Sequence, residues 1–65
     1  MQYKVGQALR WVPTYFKWDV PADVTVVHIY RNGCCLLSNE KIADEDGFIQ
    51  WYGRIAGRVE EDAKA

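Results

Sequence analysis

The sequence predicts an all-β domain: a small SH3-like barrel of four to five short strands. Three observations predict it. The stretch Val24-Thr25-Val26-Val27-His28-Ile29-Tyr30 is β-branched and aromatic almost throughout, and Asn32-Gly33 separates it from the apolar run Cys34-Cys35-Leu36-Leu37. Two apolar runs around an Asn-Gly pair form the strongest short-range hairpin signal, because both turn residues tolerate positive φ. A long connection with two prolines precedes the hairpin, and a glycine-interrupted aromatic run follows it. The chain has 65 residues, which is one small domain. A tight hairpin, a long early loop and a Gly-marked bend are the parts of a small barrel. An OB-like barrel is the next reading. A β-hairpin sheet with a C-terminal helix from about residue 48 is the third.

Lys4 to Val12 reads as the first strand, with Val5, Gln7, Leu9 and Trp11 on one side. Pro13 ends it, having no N–H for a ladder. From Pro13 to Asp23 the two prolines argue against a central strand. The aromatics Tyr15, Phe16 and Trp18 argue for an ordered loop, folded against the barrel or presented for binding.

The hairpin supplies the next two strands. A two-residue loop sets Arg31 against Cys34, Tyr30 against Cys35, Ile29 against Leu36 and His28 against Leu37. One face then carries Val27, Ile29 and Leu36, and the other Val26, His28, Tyr30, Cys35 and Leu37. Neither is purely polar, so most of both sides is expected to be covered by other chain or by a partner.

Ser38 to Lys41 is a turn, Ile42-Ala43 a short strand, and Asp44-Glu45-Asp46-Gly47 an acidic turn. Phe48 to Ile55 fits two periods. Phe48, Trp51, Tyr52, Ile55 and Val59 form a helical stripe, whereas Ile49, Trp51 and Ile55 share a strand face. Residue preference favours the strand, because Gly53 and Gly57 would each cost about 1 kcal/mol in a helix. Gly53 then marks a bulge or sharp bend. The barrel is expected to span 1–59, with 60–65 a polar, frayed tail.

Hydrophobic residues make up 49%, charged residues 26%, and the net charge is −1, which excludes a disordered chain. No run approaches the roughly 18 apolar residues of a membrane span, and Met1 to Val5 lacks a signal-peptide h-region. Cys34 and Cys35 are adjacent, so a disulfide between them would need strained geometry. No disulfide framework is expected, and a reducing cytoplasm is the expected location. Stability then rests on packing three Trp, four Tyr and two Phe with the aliphatics. Oligomerisation is the other support open to a small domain.

The residues offer little catalytic chemistry. His28 and Cys35 share a face at a diagonal offset of roughly 7–8 Å, a remote thiol–imidazole pair. A half-buried His and a core Cys behaving as a small hydrophobe explain both better. Adjacent cysteines and one His do not match zinc spacing. If Gly47 took the glycine position of an EF-hand loop, Ile42 and Gly53 would occupy the first and last ligand positions, which excludes it. Gly53-Arg54-Ile55-Ala56-Gly57-Arg58 lacks the Gly-Lys-Ser/Thr ending of a phosphate loop. No catalytic residue, metal ligand or cofactor is assigned.

Basic residues prevail through Cys35 and acidic ones after it. The leading expectation is a non-enzymatic interaction module that binds another protein, as an adaptor, regulatory subunit or inhibitor, or that pairs with itself. Aromatics exceed what so small a barrel hides, and Trp, Tyr and Arg dominate interface energetics. Tyr15, Trp18, Tyr52 and Arg54 are the candidate contacts. A nucleic-acid module is the alternative, with Lys4, Arg10, Trp11, Lys17 and Trp18 stacking bases and tracking phosphates. The near-neutral net charge disfavours it. A third reading is an oligomeric enzyme whose active site forms at a subunit interface, escaping the size limit on a monomer's pocket.

Overall fold

In a computed structural model that describes residues 2–15 and 18–61, six antiparallel strands close into a barrel. They are β1 (Ala8–Pro13), β2 (Ala22–Ile29), β3 (Cys35–Leu37), β4 (Ile42–Ala43), β5 (Phe48–Trp51) and β6 (Arg54–Glu61). Each pairs with the next, and β6 returns to pair with β1. The all-β reading holds.

The count is six rather than four to five, because Phe48 to Ile55 is two strands. Tyr52 and Gly53 take φ of 49° and 76°, with Trp51 opposite Arg54. Two consecutive left-handed residues make the tight loop whose twist suits a hairpin. The helix alternative from residue 48 is therefore overturned, and Gly53 lies in a turn rather than in a bend of one strand. A bulge lies further along: Ile49 pairs with Gly57 but Gln50 with Ile55. Ala56 is the extra residue, so Ala56 and Gly57 are both buried. β6 runs past residue 59, since Glu60 pairs with Arg10 and Glu61 with Leu9. The first strand starts at Ala8, not Lys4. A turn closed by Gln7 N donating to Lys4 O (3.0 Å), with Gly6 at φ 89°, precedes it, and Val5 is exposed.

The hairpin lies where Asn32-Gly33 places it, but its loop has three residues. Tyr30 N donates to Cys34 O (2.8 Å) and Gly33 N to Tyr30 O (3.1 Å), with Gly33 at φ 91°. Asn32 does not turn left-handed; its side-chain oxygen accepts the Cys34 N–H at 3.1 Å. The register slips by one, so Ile29 faces Cys35 and His28 faces Leu36. A bulge between Val26 and His28 then sets Val26 opposite Leu37. Val26, Cys35 and Leu37 are buried with Ile29 packed on them, while Val27, His28 and Tyr30 face solvent. Within the chain the hairpin is covered on one side.

The same loop recurs twice. Leu37 N donates to Lys41 O, and Asp44 N to Phe48 O, each at 2.8 Å. The left-handed third residue is Glu40 (φ 69°) in one and Gly47 (φ 90°) in the other. Successive hairpins turn at opposite ends of a meander. The β1–β2, β3–β4 and β5–β6 connections therefore share one end, and the β2–β3 and β4–β5 loops the other.

Leu9, Val26, Cys35, Leu37 and Ala43 fill the interior, with Trp11, Val24, Ile49 and Val59 around them. Tyr3 caps this core from the end of the acidic turn, its hydroxyl donating to Asp44 O at 2.5 Å. Burial pushes the Tyr3 phenol well above its ordinary 10.0, with Cys35 and Asp44 adding to the effect. Burial likewise raises the Cys35 thiol above 9.0. The fold keeps both groups protonated, whereas the unfolded chain releases those protons near the ordinary values. Their contribution is thus complete below about pH 9 and is lost as pH rises through the folded values. We expect the melting temperature to fall between about pH 9 and pH 11, and Tyr3→Phe to flatten the fall. A melting temperature constant across that range would contradict this.

Candidate functional site

Three connections meet at one end of the barrel, and they carry most of the exposed aromatic side chains. The β1–β2 connection brings Tyr15, Trp18 and Asp19, the β3–β4 loop brings Glu40 and Lys41, and the β5–β6 hairpin brings Trp51, Tyr52 and Arg54. Phe16 and Lys17 lie outside the described residues.

Trp51 and Arg54 face one another across the tight turn, so their side chains leave the same face of the ladder. Thr14 N donates to Ala56 O at 3.1 Å, which ties the start of the β1–β2 connection to β6. Tyr15 therefore lands beside Arg54. Arg54 Nη1 donates to the Tyr15 hydroxyl (3.1 Å), and the guanidinium carbon lies 5.8 Å from the Tyr15 ring centre. Tyr15 lies 6.5 Å from Trp51 between ring centres, and Trp51 meets Tyr52 edge-on at 4.7 Å. The result is one strip, Arg54–Tyr15–Trp51–Tyr52, with Tyr52 86% exposed.

A groove of about 400 Å³ runs beside the strip. Its origin is a split in the wall. β4 pairs with β5 only through Ala43 and Ile49. Beyond that pair Lys41 and Ile42 part from Gln50 and Trp51, and these four residues line the opening. Trp11, Ile49 and Ala56 form its floor, and Asp19 and Glu40 its acidic rim. The Lys41 ammonium lies 5.9 Å from the Trp11 ring centre.

Of the candidate contacts, the fold joins Tyr15, Tyr52 and Arg54, and holds Trp18 77% exposed on the same connection. Trp51 joins them as the link between Tyr15 and Tyr52. Asp19, Glu40 and Lys41 gave no sequence signal, since charges in turns read as solvated. The described members of the basic-aromatic set, Lys4, Arg10, Trp11 and Trp18, lie in different places. Trp11 is in the core, 7% exposed, and cannot stack bases. Arg10 faces Asp23 across the β1–β2 ladder, with its guanidinium 3.7 Å from that carboxylate, so an acid of its own sheet already answers its charge. Lys4 precedes β1 and Trp18 follows it, at opposite ends of the barrel. Lys17 lies outside the described residues.

The His28–Cys35 pair is also removed. His28 packs edge-on against Tyr30 outside the barrel (4.8 Å), while Cys35 is fully buried inside it. Cys34 is half-buried. Iodoacetamide is therefore expected to modify Cys34 in the folded protein and Cys35 only after unfolding, as read by peptide mass spectrometry. Equal native labelling of both would contradict the burial. In the acidic turn, Asp44 Oδ1 accepts the Asp46 and Phe48 N–H groups, both at 2.9 Å. That carboxylate shapes its own turn. Among the described residues no group of three or more His, Cys, Asp or Glu gathers to hold a metal. No family model, curated protein or solved structure matches the chain.

Proposed function

We propose that this chain is a non-enzymatic interaction module that binds a partner protein through the loop end of its barrel. One observation carries the reading: Arg54, Tyr15, Trp51 and Tyr52 form a continuous, solvent-facing strip. These residue types supply most of the binding energy at protein interfaces. Exposed apolar surface on a small domain commonly marks such a site. The strip is also organised before binding. Arg54 holds Tyr15 by a hydrogen bond and a cation–π contact, so less side-chain freedom is lost on association. Tyr15, Trp18, Tyr52 and Arg54 are the proposed contacts, with Trp51 between them. The SH3-like description belongs to this reading as an analogy: a small barrel with a long β1–β2 connection that binds through its loops. A role as adaptor, regulatory subunit or inhibitor in a reducing cytoplasm fits it. The nucleic-acid alternative has less support, because Trp11 is in the core and Lys4 and Trp18 lie towards different ends of the barrel.

Affinity capture with the parent chain and with a Tyr52→Asn/Arg54→Ala variant tests the reading. Both sites are exposed, and Asn suits the left-handed turn position, so stability is expected to change by no more than about 0.5 kcal/mol. The proteins retained by the parent chain should be lost from the folded variant. Retention of the same proteins would overturn the assignment.

A further inference from the structure

We propose that the groove beside the aromatic strip receives a lysine or arginine side chain presented by the partner protein. This rests on the partner-binding reading and names the chemistry the partner brings. The groove, about 400 Å³, falls within the range of ligand pockets, about 300–1,000 Å³. Trp51 and Ile42 offer apolar walls for a methylene stem. Asp19 and Glu40 line the rim, and among the described residues neither carboxylate is in an ion pair. Among the described residues Lys41 is the cation that lines the groove, so their charges there leave an excess of negative charge.

Two further observations point the same way. The Lys41 ammonium, 5.9 Å from the centre of the Trp11 ring, already occupies a cation–π position within this opening. The chain's own side chain thus stands where a partner's cation would stand. Glu40 also holds a backbone conformation that favours glycine. In the two equivalent loops the left-handed position is Gly33 and Gly47; only here is it an acid, and that acid lines the groove. The non-glycine residues at positive φ in the described chain are Glu40 and Tyr52, both at this end of the barrel. Strained conformations of this kind collect at binding sites.

The test follows the indole N–H resonances of Trp11 and Trp51 while the protein is titrated with heptapeptides Gly-Ser-Gly-Xaa-Gly-Ser-Gly. The central residue is lysine, arginine, norleucine or glutamate. Lysine and arginine peptides should shift the resonances saturably, and norleucine should bind at least about fivefold more weakly. Glu40→Gly keeps the loop and removes the carboxylate. It should weaken the lysine peptide about fivefold while raising the melting temperature, which separates binding from folding. Lys41→Ala should tighten binding several-fold. Equal binding of norleucine and lysine, an undiminished response in Glu40→Gly, or movement of the same resonances by a short oligonucleotide instead would overturn the proposal. If no peptide binds while Tyr52→Asn/Arg54→Ala still abolishes partner capture, the cation assignment fails and the contact face stands. If capture is also unchanged, both fail.

Discussion

Leu9→Ala is expected to lower the unfolding free energy by about 3 kcal/mol, measured by urea denaturation. Leu9 is 0% exposed and, with Leu37, is one of the two largest fully buried side chains. It sits on β1, where Val24 of β2 and Glu61 of β6 are its partners. Truncation would remove its transfer free energy and leave a cavity that a closed wall cannot easily collapse around. A domain of this length has roughly 3–10 kcal/mol in all, so the variant should be largely unfolded at modest urea concentrations. A loss below about 1 kcal/mol would mean that Leu9 is not at the centre of the core.

Gly57→Ala is the second large effect, expected at about 2 kcal/mol on the same scale. Gly57 does not need a left-handed backbone; it needs the absence of a side chain. A Cβ there would lie 2.9 Å from Val12 O and 3.0 Å from Trp11 Nε1. The first is backbone in the neighbouring strand and cannot swing away. The second is part of a buried indole whose N–H has no hydrogen-bond partner among the described residues, so it is already poorly accommodated. The substitution would wedge β1 from β6 where the barrel closes. A variant as stable as the parent would show that the seam has slack that these distances deny.

Much of the fold was legible because burial alternates where the sequence alternates. Leu9 and Trp11, Val24 and Val26, and Cys35 and Leu37 are spaced two apart and enter the core as pairs. The losses came at turns. Asn32 looked like a left-handed turn residue but serves as an acceptor for Cys34 N, which lengthens the loop and slips the register. Nothing local in Val26-Val27-His28 announces the bulge that sets Val26 opposite Leu37. Tyr52-Gly53 lacks the Asn or Asp that usually opens such a turn, so β5 and β6 read as one strand. That omission also hid part of the site. Without the sixth strand there is no third loop at the binding end, and Trp51 and Arg54 have no turn to bring them face to face. Tyr15, Tyr52 and Arg54 were recognisable by residue type. The groove was not, because it arises where β4 and β5 part after one pair, a matter of strand length rather than composition.

The seam between β1 and β6 also dictates an order of assembly. β2 to β6 each pair with a sequence neighbour across loops of a few residues, so they can form one after another at small entropic cost. Joining Leu9 to Glu61 ties together nearly the whole chain. Its loop-closure cost is lowest once the intervening hairpins exist, which places it late on the folding pathway. A disturbance confined to the seam should then accelerate unfolding and leave the refolding rate nearly unchanged. Stopped-flow measurements on Gly57→Ala would show this as a raised unfolding limb alone. A slowed refolding limb would mean that the ring begins at its seam.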